Sequence, residues 1–302
     1  MGDTLPQIIC KRYSEICNKC PIDYWPDERK VKCLPKPYEF LSYESNSLSS
    51  VFSGLVVFFS IVTVVILGLF LLYWDTPIVR ANNRSVSVTL LVSILLSFLS
   101  VFFFLGRPVD ITCQLRQTLF SIFFTIAVSS VLSKTITVCI AFKATKPKSP
   151  WRKLMGKKVA IYIVLVFSMN QVLICVIWLS ISPPYQEFNF MSYSRKIIIQ
   201  CNEGSVLAFY LMLGYMGLLA SVSFVLAFMV RTLPDSFNEA KYITFSMLLF
   251  CSVWIAMIPA YLSTRGKYMV AVEIWTGGKV AILAQIPVEM SQLWCKYIPE
   301  KA

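Results

Sequence analysis

The sequence predicts an all-α membrane protein that crosses the bilayer several times, and three observations carry that prediction. Of its 302 residues, 57% are hydrophobic and only 15% charged. The mean hydropathy of +0.67 is far above that of an ordinary soluble domain. Second, the apolar residues come in runs long enough to cross a ~30 Å hydrocarbon core, which takes roughly 20 helical residues at about 1.5 Å each. Tyr242 to Leu262, 21 residues, is one such run. Third, positive charge gathers beside the runs. Lys143, Lys146, Lys148, Arg152, Lys153, Lys157 and Lys158 share one short loop, and such clustering orients a membrane protein with that loop in the cytoplasm. The same loop attracts anionic lipid.

Composition also narrows the function. The chain has no histidine, which removes the commonest general base and the commonest metal ligand. With no nucleophile set beside a base, the chain does not read as an enzyme, and no catalytic residue, metal or cofactor is assigned. The net charge of +12 does not indicate nucleic acid, because the basic residues do not gather in a soluble domain with interleaved aromatics. No internal repeat or ring of acidic residues marks the pathway of a transporter or channel.

Residues 1–47 are polar and show no secretory signal, so with this end outside, the first span must translocate it. Cys17, Cys20 and Cys33 offer three zinc-type ligands, and Cys10 is the only spare. Without a histidine to complete the set, an extracellular disulfide module is the stronger reading of the two. A first span follows at about 48–73. The loop WDTPIVRANNR then holds Arg80 and Arg84, and its Pro77 stops the helix. Asn83-Arg84-Ser85 is a glycosylation sequon on the cytoplasmic side, expected to stay unmodified.

A second span at about 85–105 and a tight outer loop, GRPVDIT, lead into a third span at about 113–142. That span contains Arg116 and Lys134. Lys134 lies 21 residues beyond Cys113, about 31 Å along a helix, which places it at the cytoplasmic mouth. A charge there is a candidate functional group, or a lysine that snorkels. The fourth span, about 159–181, stops at Ser182-Pro183-Pro184, and the long loop after it carries Cys201, which faces outside together with Cys113. Gly214 and Gly217 in the fifth span, about 206–230, are expected to permit close helix approach. Cys139, Cys175 and Cys251 lie within spans as small packing residues.

The sixth span, 242–262, follows a polar turn with Asn238, Glu239 and Lys241. A joined seventh span over 268–288 would carry Glu273, Lys279, Gln285, two glycines and a proline, at a cost of roughly 2.5–3.5 kcal/mol for a central lysine alone. Six runs have the length and composition of spans, the seventh does not, and with six the carboxyl end would return outside.

The wording of the sixth span and its flanks is specific. FNEAK followed by ITFSM, CSVW and P-x-Y-x-ST-x-GKY resembles the class C G-protein-coupled receptors, and within them the vomeronasal type-2 branch. CNKCPIDYWPDERKVKCLPK is similar to the end of that family's cysteine-rich linker, and WDTPIVRANNR to its first intracellular loop. The resemblance covers about residues 17–274. It implies a heptahelical-type transmembrane bundle at 48–274, with 1–47 as a short disulfide-bearing extracellular segment and 275–302 as a divergent tail.

It also implies disulfides Cys20–Cys33 and Cys113–Cys201, and an ionic contact between Lys134 and Glu239 that ties the third helix to the sixth at rest. Trp254 and Phe250 would line a pocket in the bundle. Arg80, Arg84, Arg152, Lys153, Asn238 and Lys241 would face a G protein. The partners implied are a heterotrimeric G protein, membrane lipid and a receptor dimer, at the plasma membrane. The family's long seventh span, ending near Pro-Lys-Cys-Tyr, has no match here, and 47 residues are too few for its two-lobed ligand-binding domain. The expectation is therefore a transducing module without its sensor, or a truncated, non-signalling product that at most dimerises with full-length receptors.

Overall fold

A computed structural model describes residues 8–10, 17–27, 29, 32–39, 47–75, 83–144, 157–190 and 196–231, together with 248, 252, 255, 256 and 259. The expectations that rest on Arg80, Arg152, Lys153, Asn238, Glu239, Lys241, Phe250, Trp254 and the segment 260–302 lie outside these residues.

Five helices dominate: α1 (Ser47–Leu72), α2 (Arg84–Ser100), α3 (Asp110–Ala144), α4 (Lys157–Ile181) and α5 (Val206–Arg231). Each is long and apolar enough to cross a membrane. Their ends follow from local chemistry. Asn83 precedes α2 with φ 51°, a left-handed conformation that asparagine tolerates better than most residues. A 3-10 turn at Val101–Phe103 extends α2, and Gly106, at φ 103°, reverses the chain. Thr112 then ties the start of α3. Its hydroxyl accepts from Val109 N–H at 2.8 Å, the reciprocal half of a capping box. Asp110 stands in that first turn, where a carboxylate complements the helix dipole. At α5, Ser205 Oγ accepts from Ala208 N–H at 3.4 Å as an N-cap.

The helix α3 is the hub. It packs against α2, α4 and α5, while α1 packs on α2. Within the described residues, 61% of the apolar stretch of α3 is buried, against 22% for α1 and for α4. One core, including Leu90, Ile94, Phe98 and Val131, lies between α2 and α3. A second joins Phe124, Val128, Trp178, Phe209, Met212 and Met216 of α3, α4 and α5, and a smaller third sets Ile66 and Phe70 of α1 against Leu91 of α2. Several buried hydroxyls of α3 turn back on their own helix, as Ser129 does on Thr125 O at 2.7 Å, which removes a donor from an apolar interior. Two of its hydroxyls reach α4, Ser121 while also donating to Thr118 O at 2.9 Å. Ser133 Oγ donates to Ala160 O at 2.8 Å, and Ser121 Oγ meets Cys175 Sγ at 3.3 Å.

The outer end adds strands that the apolar periodicity did not indicate. Two small hairpins pair β1 (Ile8–Cys10) with β2 (Cys17–Lys19) and β3 (Tyr24–Pro26) with β4 (Cys33–Pro35). A three-stranded sheet runs in the order β5-β7-β6. In it, β6 (Tyr185–Asn189) and β7 (Ile197–Asn202) form an antiparallel hairpin, and β5 (Tyr38–Glu39) joins β7 in parallel, Tyr38 opposite Ile197 and Glu39 opposite Ile198. The expectation for Gly214 and Gly217 concerns neighbours that lie largely outside the described residues. A Cβ built on either meets nothing within 4 Å among those that are described.

Candidate functional site

The sheet is fastened to the bundle at several points. Cys113, in the first turn of α3, is bonded to Cys201 of β7, with the two Cα atoms 5.6 Å apart across 88 residues of sequence. Asp110 Oδ1, three residues earlier, accepts the backbone N–H of Gln186 at 2.7 Å. Within the hairpin, Glu187 Oε2 accepts from Asn202 Nδ2 at 3.1 Å and from Gln200 Nε2 at 3.4 Å. At its exit, the indole N–H of Trp178, at the top of α4 and 1% exposed, donates to Glu203 O at 3.2 Å. Trp178 also packs on Phe209 of α5. Gly204 closes the corner at φ +67°, where a Cβ would lie 2.8 Å from the backbone oxygen of Ser182.

The amino-terminal segment reaches the same sheet. Cys20 and Cys33 are disulfide-bonded with Cα atoms 5.9 Å apart, which closes the β3–β4 hairpin. Lys36, which follows β4, is buried, and its N–H donates to Asp23 O at 2.9 Å. The next residue, Pro37, accepts Ile197 N–H at 3.1 Å, so the chain enters β5 already bound to β7. Covalent and hydrogen bonds thus run without a gap from the Cys20–Cys33 hairpin through β5 and β7 to Cys201, and from there into α3. One turn below Cys113, Arg116 is buried with its guanidinium carbon 5.4 Å from the centroid of the Phe104 ring.

The other end of α3 carries Lys134, a buried residue, only 7% exposed. It shares its turn with Ser133, which holds α4 through Ala160. Arg84 begins α2 and turns onto the end of α1. Its Nη2 is 3.3 Å from Asp75 Oδ1, and its guanidinium carbon lies 5.2 Å from the centroid of the Trp74 ring. Among the described residues, no group of acidic, cysteine or histidine side chains is arranged to hold a metal ion.

Of the residues singled out from sequence, the structure brings Cys113 to Cys201 and Cys20 to Cys33, sets Lys134 inside the bundle and folds Arg84 onto its own loop. Sequence reasoning passed over Asp110, Trp178 and Gly204. The Asp at a helix start and the Trp just ahead of Ser182-Pro183-Pro184 were visible signals. Nothing in a linear reading says which backbone N–H an aspartate will meet 76 residues away.

A membrane bundle organised on a long third helix, with an outer hairpin disulfide-bonded to that helix's first turn, is the architecture of a heptahelical receptor domain. A family model described as "7 transmembrane sweet-taste receptor of 3 GCPR" matches residues 43–287. Vomeronasal type-2 receptor 26 of Mus musculus is 47% identical over 97% of this chain, which spans 33% of that receptor. Vomeronasal type-2 receptor 116 of the same organism is 45% identical over 86% of the chain and is covered over 30% of its length. The extracellular calcium-sensing receptor of Homo sapiens is 44% identical over 84% of the chain, which covers 23% of it. The chain belongs to the class C family of G-protein-coupled receptors, multi-pass proteins of the plasma membrane. It spans a third or less of the curated relatives it matches.

Proposed function

We propose that this chain is the transducing domain of a chemosensory receptor, converting displacement of an extracellular segment into a helix rearrangement that activates a heterotrimeric G protein. The observation that carries the reading is the parallel pairing of β5 with β7. It joins the segment entering the membrane to the strand whose Cys201 is bonded to α3. A pull on residues 20–37 therefore acts directly on α3. Lys134 sits near the far end of that helix, and a contact from it to Glu239 would hold the third and sixth helices together at rest. Such a contact biases a two-state element, and separating the helices opens a groove for the G protein.

In this reading residues 1–47 are the outer linker, 48–274 the transmembrane domain and 275–302 a tail of its own kind. Trp254 and Phe250 line the bundle pocket. Arg80, Arg84, Arg152, Lys153, Asn238 and Lys241 form the cytoplasmic face toward the G protein. A pheromone-type ligand is favoured by the two vomeronasal relatives.

A chimera tests this. The ectodomain of the calcium-sensing receptor is joined ahead of Cys17, and a second messenger is followed against external calcium in cells. A calcium-dependent signal that disappears with Cys201→Ser supports the reading. A chimera that reaches the surface and stays silent at every calcium concentration overturns it and leaves a non-signalling partner of other receptors.

A further inference from the structure

The first strand pair of the chain sets two cysteine positions opposite each other. β1 and β2 run antiparallel, with Ile8 opposite Lys19, Ile9 opposite Asn18 and Cys10 opposite Cys17. Directly opposed residues of an antiparallel pair have Cα atoms about 4.5 or 5.5 Å apart, according to whether they exchange hydrogen bonds. Both values lie inside the roughly 4.4–6.8 Å that a disulfide spans between Cα atoms. The register alone therefore meets the distance condition, with no movement of the backbone.

Two further observations point the same way. The amino-terminal segment, the start of α3 and the outer hairpin together hold Cys10, Cys17, Cys20, Cys33, Cys113 and Cys201. Four of these are bonded, Cys20 to Cys33 and Cys113 to Cys201, which leaves Cys10 and Cys17 as the remaining pair of the set, on the oxidising side of the membrane. The strands are the second observation. Each has three residues, and among the described residues the two form a sheet of their own. A lone two-stranded hairpin is marginal in water, and a segment too small for a core is commonly held by disulfides. A bond between the strands supplies what their pairing lacks.

We propose that Cys10 and Cys17 form a third disulfide, so that two covalent rings in tandem close the outer segment. The two thiols each give up a proton and an electron, and one S–S bond forms. A dithiol–disulfide exchange catalyst of the secretory pathway takes both electrons and both protons as its own disulfide is reduced to two thiols. Only Asn18 and Lys19 separate Cys17 from Cys20, so the ring 10–17 ends two residues before the ring 20–33 begins. Cys17 is thereby committed within the segment and is not shared with a cysteine of another domain or another chain. The path of bonds from the Cys20–Cys33 hairpin into α3 is lengthened outward to Cys10. The bond stands whether or not the chain couples to a G protein.

Peptide mapping of the full chain tests this without any substitution. Trypsin cuts after Lys11, Arg12 and Lys19, which places Cys10, Cys17 and Cys20 on three separate peptides. The chain is expressed in cells, surface copies are selected, free thiols are alkylated in denaturant, and the digest is analysed by mass spectrometry with and without reduction. The expected result is a peptide ending at Lys11 linked to Tyr13–Lys19, present before reduction and lost after it. Cys10→Ser is expected to free the Cys17 thiol, so that Tyr13–Lys19 now carries the alkyl group without reduction while Cys20 stays linked to Cys33. Tyr13–Lys19 recovered already alkylated from the unsubstituted chain, or linked to any peptide other than the one ending at Lys11, would overturn the proposal. So would a Tyr13–Lys19 peptide that stays linked in Cys10→Ser.

Discussion

The carboxylate of Asp110 accepts the backbone N–H of Gln186 at 2.7 Å, and so binds the start of α3 to the first strand of the outer hairpin, beside the Cys113–Cys201 disulfide. Two joints of different chemistry thus fasten one helix end to both strands of one hairpin. The disulfide limits how far β7 can move, and the hydrogen bond fixes where β6 lies. Asp110→Ala removes both the acceptor and a charge at a helix start. Because the site is exposed, its contribution is discounted to about 1 kcal/mol, a fall of roughly 2–4 °C in melting temperature for a chain of this size. A thermal-shift measurement on the purified protein checks this, and Asp110→Asn, which keeps an acceptor, is expected to recover part of the loss.

Gly204 is a site where one methyl group has a large effect. Its φ of +67° is strained for any other residue, and a Cβ would stand 2.8 Å from both the backbone oxygen and the hydroxyl of Ser182. Gly204→Ala is expected to cost about 1–3 kcal/mol and to lower surface delivery, because the exit of β7 no longer fits against the end of α4. Gly217→Ala is the matched control, since its Cβ meets nothing within 4 Å among the described residues. Flow cytometry of tagged chains reads both, and an equal loss in the two variants would remove the corner from the explanation.

Thr125 and Gln171 make the case for a stabilising substitution. The contacts Ser133–Ala160 and Ser121–Cys175 fix the antiparallel register of α3 and α4. One turn inward from the second contact, Thr125 follows Ser121 by four residues and Gln171 precedes Cys175 by four, so they fall at the same level. Thr125 Oγ1 and Gln171 Oε1 are buried without a hydrogen-bond partner among the described residues, at a cost of about 1–3 kcal/mol for each such group. Thr125→Val keeps the shape and removes the hydroxyl, so a rise of roughly 2–4 °C in melting temperature is expected for each kcal/mol relieved. A fall of that size would instead show that the hydroxyl is bonded.

How much of this was legible in the sequence depends on the range of the interaction concerned. Span-length apolar runs announce helices because the bilayer imposes one length on all of them. The Cys113–Cys201 bond entered through family resemblance, and composition alone would have left both cysteines merely outside. The β5–β7 pairing was not legible. Two residues, Tyr38 and Glu39, carry no strand periodicity, and their pairing is decided by where Cys201 is anchored. The polar joints between α3 and α4 were hidden for a related reason. A serine on an apolar helix reads the same whether it bonds its own carbonyl, as Ser129 does, or a neighbouring helix, as Ser133 does.

Lys134 gives the sharpest test of the transduction reading. It is buried near the cytoplasmic end of α3, where a cation without a compensating charge is costly, and Glu239 is the acid that the resemblance sets beside it. If that contact holds the resting state, Lys134→Glu places two carboxylates together and drives the helices apart, which raises basal second-messenger output. The exchange Lys134→Glu with Glu239→Lys restores the opposite charges in reverse order and is expected to return the output toward the parent level. Because both variants carry the same Lys134→Glu change on α3, a general packing defect there would persist in the exchange, whereas a specific pair would be repaired. Output is measured at matched surface density. If the exchange is as active as the single variant, Lys134 is paired elsewhere and the resting contact must be sought on another helix.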